Sequence, residues 1–262
     1  MKIAARLKGL FGKKRDSNRF TGNFKSWEAA SQESTGYAAP QILARTRAAL
    51  LKVKEGKAAF ERDSMAFDKM EYDSSLPAGL LRAAEAERRL SVLDFGGSLG
   101  GTYFQYRNYL SAINPLRWSV VEQPAHVACG RADFANDQLR FFESIDDCLR
   151  EENPNVLLLS GVLQYLPEPY VFLESALRKR IRYVIVERTA FNADDIDRLT
   201  IQHVPPALYD ASYPAWFLSE TSFRRIFASA YDLICEYVGD DEADLEDGNA
   251  VFKGFQFKRK SS

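Results

Sequence analysis

The sequence predicts a doubly wound α/β fold, and three observations lead to that prediction. Short apolar segments rich in β-branched residues alternate with helical segments from residue 91 to residue 188. The segment NVLLLSG (155–161) is apolar on both faces, as is typical of a central strand. Two further β-like segments, YDLICEYVG and AVFKGFQFKR, flank an acidic turn and predict an antiparallel hairpin. Together these segments predict a Rossmann-like, seven-stranded sheet that is mostly parallel and has a C-terminal antiparallel hairpin.

The predicted elements divide the chain into three regions. Residues 1–19 are a basic amphipathic segment, residues 20–88 are expected to form an N-terminal helical cap, and residues 89–262 form the doubly wound domain. Within the cap, apolar residues at helical spacing predict a helix from Pro40 to about Phe60. Within the domain, five strands are expected before the hairpin, at 91–95, 117–123, 139–142, 155–161 and 182–188.

The composition indicates a globular protein with no strong preference for charged partners. The chain has 262 residues and is 46% hydrophobic, which is enough to bury a full core. Its formal net charge of −1 provides no global field that would attract nucleic acid. Its three cysteines show no CxxC spacing, which favours reduced thiols in a cytoplasmic protein. No cluster of His, Cys and carboxylate residues has metal-ligand spacing, so no metal is expected.

The N-terminal segment is an anomaly in this composition. Residues 1–19 carry seven basic residues and one acid, and four apolar residues between Ile3 and Phe11 fall on one face of a helix. One interpretation is an amphipathic helix, with residues 1–15 in peripheral contact with an anionic surface such as the inner membrane. The alternatives are a solvated tail or a helix docked on its own domain.

The stretch VLDFGGSLGG is the strongest indication of a ligand site. It combines a strand that ends in an acid with four glycines, whose bare backbone lets a ligand approach closely. The dinucleotide pattern G-x-G-x-x-G fails in both registers. The pattern acid-x-Gly-x-Gly-x-Gly, which is typical of sites for S-adenosylmethionine (SAM), is met with serine in place of the middle glycine. The residues expected to bind the cofactor here are Asp94, Gly96, Gly97, Ser98 and Gly100.

An acid on the next strand is an independent indication of the same kind of site. Rossmann-like sites need a carboxylate at the end of the second strand, where it accepts hydrogen bonds from ribose hydroxyls. The segment WSVVEQP places Glu122 there, with Gln123 beside it as a further candidate for cofactor binding. The two motifs in this order predict a nucleotide-type ligand, and the acid of the first suits the cationic groups of SAM.

With these motifs the sequence resembles the class I SAM-dependent methyltransferases, and in particular a family of bacterial methyltransferases associated with surface-polysaccharide biosynthesis. The resemblance covers most of the chain from Phe20 onward. It implies SAM as the cofactor, a seven-stranded sheet whose last strand is antiparallel, and a methyltransferase domain over residues 89–262. It rests on the segments FTGNFKSWEAA, GYAAPQIL, VLDFGGSLGGTYFQY, WSVVEQP, LLLSGVLQYLPEPY and HVPPALYDASYPAWFLSE.

Further site residues are expected where the later strands end. Ser160, Gln164 and Tyr165 follow the fourth strand, where the superfamily contacts both the cofactor and the acceptor, although Tyr165 can also pack the following helix. Ser144 follows the third strand and either borders the adenine or caps a helix.

Three residues are candidates for catalysis: His203, Tyr165 and Glu187. His203 lies in a segment rich in proline and aromatic residues, expected to be a loop over the pocket; its imidazole acts there as a general base or merely packs. Glu187 ends the fifth strand beside Arg188, and the two either bind the acceptor or form a local ion pair. Aromatic residues of the same loop suit either sugar stacking or packing of the loop itself, namely Tyr209, Tyr213 and Trp216.

Two classes of function remain open. The first is an enzyme, a SAM-dependent methyltransferase that O-methylates a sugar or surface-glycan precursor. The second is a catalytically degenerate SAM-binding module that acts as a partner in a glycan-assembly complex, which Ser98 and the lack of an obvious base keep open. An NAD-linked sugar oxidoreductase is disfavoured by the failed dinucleotide pattern.

Overall fold

The computed structural model describes seven stretches of the chain, residues 19–36, 40–70, 74–205, 211–239, 241, 243–246 and 248–261. The predictions for residues 1–18 of the basic N-terminal segment and for Tyr209 fall on residues outside these stretches. Within them, no helix has the length and apolar character that crossing a membrane requires.

Thirteen strands and eight α-helices are present in the described stretches. The strands are β1 (Arg19–Phe24), β2 (Phe60–Arg62), β3 (Met65–Phe67), β4 (Leu90–Phe95), β5 (Leu116–Val121), β6 (Leu139–Phe142), β7 (Val156–Ser160), β8 (Tyr183–Asn192), β9 (Arg198–His203), β10 (Ser212–Phe217), β11 (Tyr231–Val238), β12 (Asp244–Leu245) and β13 (Ala250–Arg259). The helices are α1 (Trp27–Gln32), α2 (Pro40–Lys54), α3 (Ser75–Glu87), α4 (Gly101–Tyr106), α5 (Pro124–Asp133), α6 (Ile145–Glu151), α7 (Pro169–Arg178) and α8 (Glu220–Ala228).

Seven strands form the main sheet, in the order β11-β13-β8-β7-β4-β5-β6. The five strands from β4 to β8 are parallel, and β13 runs antiparallel between β8 and β11. The predicted doubly wound sheet, mostly parallel with a C-terminal antiparallel pair, is therefore confirmed. Because the strand order reverses between β4 and β7, the crevice at their carboxyl ends is where such a sheet binds its ligand.

Helices cover both faces of this sheet because its central strands are apolar on both sides. Alternate side chains such as Val92 and Trp118 pack with α2, α3 and α4 in one core. Their neighbours, such as Leu93 and Leu157, pack with α6, α7 and α8 in the other. Each fully buried leucine contributes about 2 kcal/mol to folding, so the two cores hold the crevice-forming strand ends in place.

A second sheet, in the order β10-β9-β1-β12, corrects two expectations about the chain. The region 20–88 is not a purely helical cap, because β1 pairs antiparallel with β9 and parallel with β12. The segment expected to be a loop over the pocket instead contributes the antiparallel pair β9 and β10. Phe20 of β1 packs edge-on against Phe217 of β10, with the ring centroids 4.9 Å apart, and this contact joins chain segments that are distant in sequence.

The helix expected from Pro40 to Phe60 is shorter than predicted. It ends at Lys54, and the chain then forms the hairpin of β2 and β3, in which the Ala59 N–H donates to the Phe67 carbonyl at 2.7 Å. The rings of Phe60 and Phe67 stack with centroids 4.7 Å apart. This hairpin matters for the site because it contacts both α2 and α4, the helix that follows the glycine turn.

Candidate functional site

The glycine turn, residues 96–100, connects β4 to α4 through backbone that L-residues rarely adopt. Gly96 has a φ of +73° and Gly100 a φ of +88°, a region that glycine enters without steric cost. Ser98 has a φ of +53°, so the residue that breaks the glycine pattern still takes a left-handed conformation. The Gly96 N–H donates to the Val121 carbonyl at 2.9 Å, which ties the turn to the end of β5.

Asp94 lies beneath this turn. A Cβ on Gly97 would stand 2.5 Å from Asp94 Cγ, so the missing side chain makes room for the carboxylate. Asp94 is only 1% exposed, and Trp118 Nε1 donates a hydrogen bond to its Oδ2 at 3.0 Å. Burial raises the pKa of Asp94 to about 7, against the hydrogen bond from Trp118. The carboxylate therefore lies directly against the Gly97 backbone of the turn.

Glu122 follows β5, next to the strand that carries Asp94. The side chains before it at alternate positions, Trp118 and Val120, pack in the same core as Val92, which places Glu122 and Asp94 on the same side of the sheet. The charge of Glu122 helps to raise the pKa of Asp94. Its Oε2 accepts a hydrogen bond from the Gln123 N–H at 2.6 Å, and Gln123 itself is exposed at the start of α5.

A third carboxylate, Glu61 of β2, was missed by the sequence reasoning. A Cβ on Gly101 would lie 2.6 Å from Glu61 Oε2, so this side chain covers the start of α4 immediately after the turn. Its Oε1 accepts a hydrogen bond from the Ser64 N–H at 2.8 Å, and burial raises the pKa of Glu61 to about 7. The polar segment ERDSMAFDK has no periodic pattern that signals this placement.

Arg188, at the carboxyl end of the main sheet, links the β2–β3 hairpin to that sheet through an ion pair. Its guanidinium forms ion pairs with Asp63 of the hairpin and with Asp241, each at 3.0 Å. Its φ is +48°, a strained conformation that the surrounding contacts must hold. The local ion pair with Glu187 that the sequence offered as an alternative is not the one observed, because Arg188 pairs with two distant carboxylates instead.

The Glu187 side chain is buried, with only 4% of its surface exposed to solvent. It accepts a hydrogen bond from the hydroxyl of Tyr237 on β11. The Tyr237 ring crosses β13 at Gly254, where a Cβ would stand 2.3 Å from a ring carbon. This geometry does not favour the predicted catalytic role of Glu187, because its carboxylate already accepts a hydrogen bond from the Tyr237 hydroxyl.

The segment after β7 lies against the glycine turn. Val162 Cγ2 is 2.5 Å from the position that a Cβ on Gly96 would occupy. Gln164 is 3% exposed; its Nε2 donates to the Arg188 carbonyl at 3.0 Å, whereas its Oε1 has no hydrogen-bond partner among the described residues. Ser160 is half-buried at the end of β7, and alternation places it on the same face as Asp94. Ser160 therefore lies at the carboxyl end of β7 on the face of Asp94, whereas the Gln164 side chain is buried against the Arg188 backbone.

Tyr165, the next residue, was predicted to be catalytic. Its hydroxyl donates to Gln202 Oε1 at 2.7 Å, and its ring packs edge-on against Tyr213 with centroids 5.4 Å apart. Burial raises the pKa of Tyr165 well above its ordinary value, which disfavours the phenolate that a general base requires. The structure therefore shows Tyr165 packed between the main sheet and the second sheet, against Tyr213.

Two other predicted residues have local structural roles. Ser144 caps α6: its Oγ accepts from the Asp147 N–H at 3.0 Å and also hydrogen-bonds Asp147 Oδ2 at 2.7 Å, so the capping alternative is the one observed. His203 is exposed on β9 of the second sheet, where its Nε2 and the Thr21 hydroxyl lie 2.9 Å apart. It shares no described contact with the glycine turn, because the expected loop is a strand.

Comparison with known proteins identifies similar folds only among solved structures. No protein-family model matches the chain, and no curated protein matches it either. The N-terminal domain of EvdMO1 with SAH bound is 14% identical, with 82% of this chain and 97% of that chain covered and a TM-score of 0.47. The glycopeptide N-methyltransferase MtfA complexed with sinefungin is 11% identical over 72% of this chain and 95% of that chain, also with a TM-score of 0.47.

A third similar structure is the magnesium protoporphyrin IX methyltransferase ChlM from Synechocystis PCC 6803 with bound SAH. It is 13% identical, with 71% of this chain and 81% of that chain covered and a TM-score of 0.47. At such identities the similarity concerns the fold alone, and neither ligand nor activity follows from it.

Proposed function

We propose that the protein is a SAM-dependent methyltransferase. The observation that carries the proposal is the glycine turn at the end of β4, enclosed by the carboxylates of Asp94 and Glu61. Glu122 lies at the end of the adjacent strand, on the same side of the sheet. A cationic ligand offsets the cost of burying ionised carboxylates, and a ribose needs an acceptor at the second strand.

The residues present fit the chemistry of SAM. Asp94 and Glu61 provide a negative field at the turn for the sulfonium and ammonium groups. Glu122 is half-buried and is placed to accept hydrogen bonds from ribose hydroxyls, while backbone N–H groups of the turn suit a carboxylate. When bound, SAM supplies a methyl group to an in-line nucleophile, and the contribution of the chain is to hold and orient both reactants.

The finer proposal is O-methylation of a sugar or surface-glycan precursor, and its support is the sequence resemblance described above. A second candidate, a SAM-binding module without activity, is favoured by one specific observation. The three residues predicted to be catalytic are engaged elsewhere: His203 with Thr21, Tyr165 with Gln202 and Glu187 with Tyr237. Turnover of SAM to SAH with a pool of sugars and nucleotide sugars separates the two candidates.

Calorimetry tests the cofactor directly. The protein is expected to bind SAM and SAH and not NAD. Glu122→Gln and Asp94→Asn are each expected to weaken SAM binding about tenfold or more, because the first removes a charged acceptor for the ribose hydroxyls and the second removes negative charge beside the cationic groups of SAM. Glu174→Gln, an exposed carboxylate on α7, is the matched control and is expected to leave binding unchanged. Binding of NAD without SAM would refute the proposal.

Arg188→Gln gives a second prediction for the same site. Loss of the ion pairs to Asp63 and Asp241 is expected to loosen the β2–β3 hairpin and so displace Glu61 from the turn. SAM affinity is then expected to fall several-fold, although Arg188 contacts no ligand in the proposal. Calorimetry measures the affinity, and hydrogen exchange of the Ser64 N–H reports the loosening. An unchanged affinity together with faster exchange would show that the hairpin does not contribute.

A further inference from the structure

A cavity lies between α1 and the second sheet. It has a volume of about 240 Å³ and is walled by the rings of Trp27, Tyr165 and Tyr213. Ser31, Ser34 and Thr35 also line it. The described residues that line it carry no charge. We refer to this cavity as the aromatic pocket.

The walls of the aromatic pocket are held by specific hydrogen bonds. The chain after α1 is joined to Ser212 of β10: the Gly36 N–H donates to its carbonyl at 2.9 Å, and the Ser212 N–H donates to Thr35 Oγ1 at 2.8 Å. On the opposite wall, the hydrogen bond between Tyr165 and Gln202 fixes the Tyr165 ring against Tyr213. The pocket is therefore pre-organised, which lowers the entropic cost of binding a small molecule.

The segment 162–165 connects the aromatic pocket to the glycine turn. Val162 lies against Gly96 at one end of this segment, and Tyr165 forms a pocket wall at the other. Between them is Gln164, whose buried Oε1 has no hydrogen-bond partner in the part of the chain that the structure describes. A buried polar atom without a partner is rare in folded proteins and marks a place where a ligand or water completes the bonding. One short segment of chain therefore contributes both to the pocket wall and to the packing of the glycine turn.

We infer that the aromatic pocket binds the methyl acceptor, and that the acceptor is a neutral, hydroxylated ring such as a glycosyl unit. Aromatic faces pack on the apolar C–H face of a sugar ring, and a serine hydroxyl such as that of Ser31 exchanges hydrogen bonds with its hydroxyl groups. A charged acceptor would lose hydration without gaining a partner among the described lining residues. This inference rests on the proposed function, because the acceptor role assumes that the donor binds at the glycine turn.

Saturation-transfer NMR with defined probes tests the inference. The neutral probes are methyl β-D-glucopyranoside and methyl β-D-galactopyranoside, and the charged probes are glucuronate and glucosamine, each offered to the SAH-saturated protein. The neutral glycosides are expected to receive saturation and the charged sugars are not. No transfer to either neutral glycoside, or stronger transfer to the charged sugars, would overturn the inference.

Variants locate the binding. Trp27→Ala and Tyr213→Ala are each expected to weaken neutral-glycoside binding about tenfold, through loss of a stacking face. Trp27→Phe keeps a flat ring and is expected to retain most of the affinity, which guards against a folding defect in Trp27→Ala. Tyr109→Ala is the matched control, because Tyr109 is 51% exposed in the turns after α4. Equal glycoside binding by Trp27→Ala, Tyr213→Ala and Tyr109→Ala would place the glycoside elsewhere and refute the assignment.

The same samples separate failure of this inference from failure of the proposed function. If calorimetry shows SAH binding but no neutral glycoside receives saturation, the acceptor assignment is wrong and the proposed function stands. If glycosides bind in a manner dependent on Trp27 but neither SAM nor SAH binds, the pocket is a sugar site and the methyltransferase proposal is wrong.

Discussion

Replacing Gly97 with alanine is expected to abolish measurable SAM binding. The new Cβ would stand 2.5 Å from Asp94 Cγ and within 2.9 Å of both carboxylate oxygens. Asp94 cannot move aside cheaply, because it is buried and hydrogen-bonded to Trp118. Overpacking of this kind costs about 1–3 kcal/mol, and the strain falls on the turn itself. Calorimetry with SAM measures the loss, and thermal unfolding measures the change in stability.

A matched glycine controls for the general effect of adding a methyl group. Gly239 follows β11, and the heavy atom nearest to its Cβ position is 3.4 Å away, an ordinary contact. Gly239→Ala is expected to bind SAM as the wild type does. If Gly97→Ala also binds SAM normally while it remains folded, the turn does not contact the cofactor and the central proposal is wrong.

SAM affinity is expected to increase as the pH rises from 6 to 7.5. Burial raises the pKa of Asp94 and of Glu61 to about 7, so both carboxyls are largely protonated at pH 6. A cationic ligand binds best when they are ionised, so each carboxyl contributes up to about a tenfold gain in affinity over this range. Nearby charges modulate the effect: Glu122 acts on Asp94, and Asp63, Arg62 and Arg188 act on Glu61.

The stability of the unliganded protein is expected to decrease over the pH range in which SAM affinity increases. Between about pH 4.5 and pH 7 the folded state binds protons that the unfolded state has released, so the free energy of unfolding falls as the pH rises. Asp94→Asn and Glu61→Gln should each reduce the pH dependence of SAM affinity and the pH dependence of the free energy of unfolding. Thermal unfolding and calorimetry across the pH range provide the measurements, and a pH-independent affinity in the wild type would contradict the roles assigned to these carboxyls.

The main sheet could be predicted because its signals are local. Alternating strands and helices, and a strand that is apolar on both faces, are visible within short windows of sequence. The second sheet could not, because Arg19 pairs with His203 and Asp244, and no local pattern records a partner so far along the chain. The same long-range pairing turned the expected loop around His203 into a strand and removed its predicted place over the pocket.

The site was predictable to the same extent. Asp94 and the glycine turn form one contiguous motif, and Glu122 follows at the end of the next strand, so sequence order was sufficient to find them. Glu61 lies in a polar hairpin that reaches the turn only through tertiary packing. The Asp94 carboxylate points towards Trp118, in the space that the missing side chain of Gly97 leaves. This direction is set by tertiary packing, which the motif does not encode.

The position of β13 has a consequence for how the chain is made. This strand leaves the ribosome after every other strand of the main sheet, yet it belongs between β8 and β11. Until it emerges, the nascent chain exposes unpaired backbone along β8 and along β11, which invites association with other chains. When β13 joins the sheet, its residues Phe255 and Phe257 complete the packing around α8. The main sheet is therefore expected to be completed only after β13 has been synthesised, and its folding is expected to benefit from a chaperone that shields the open edge.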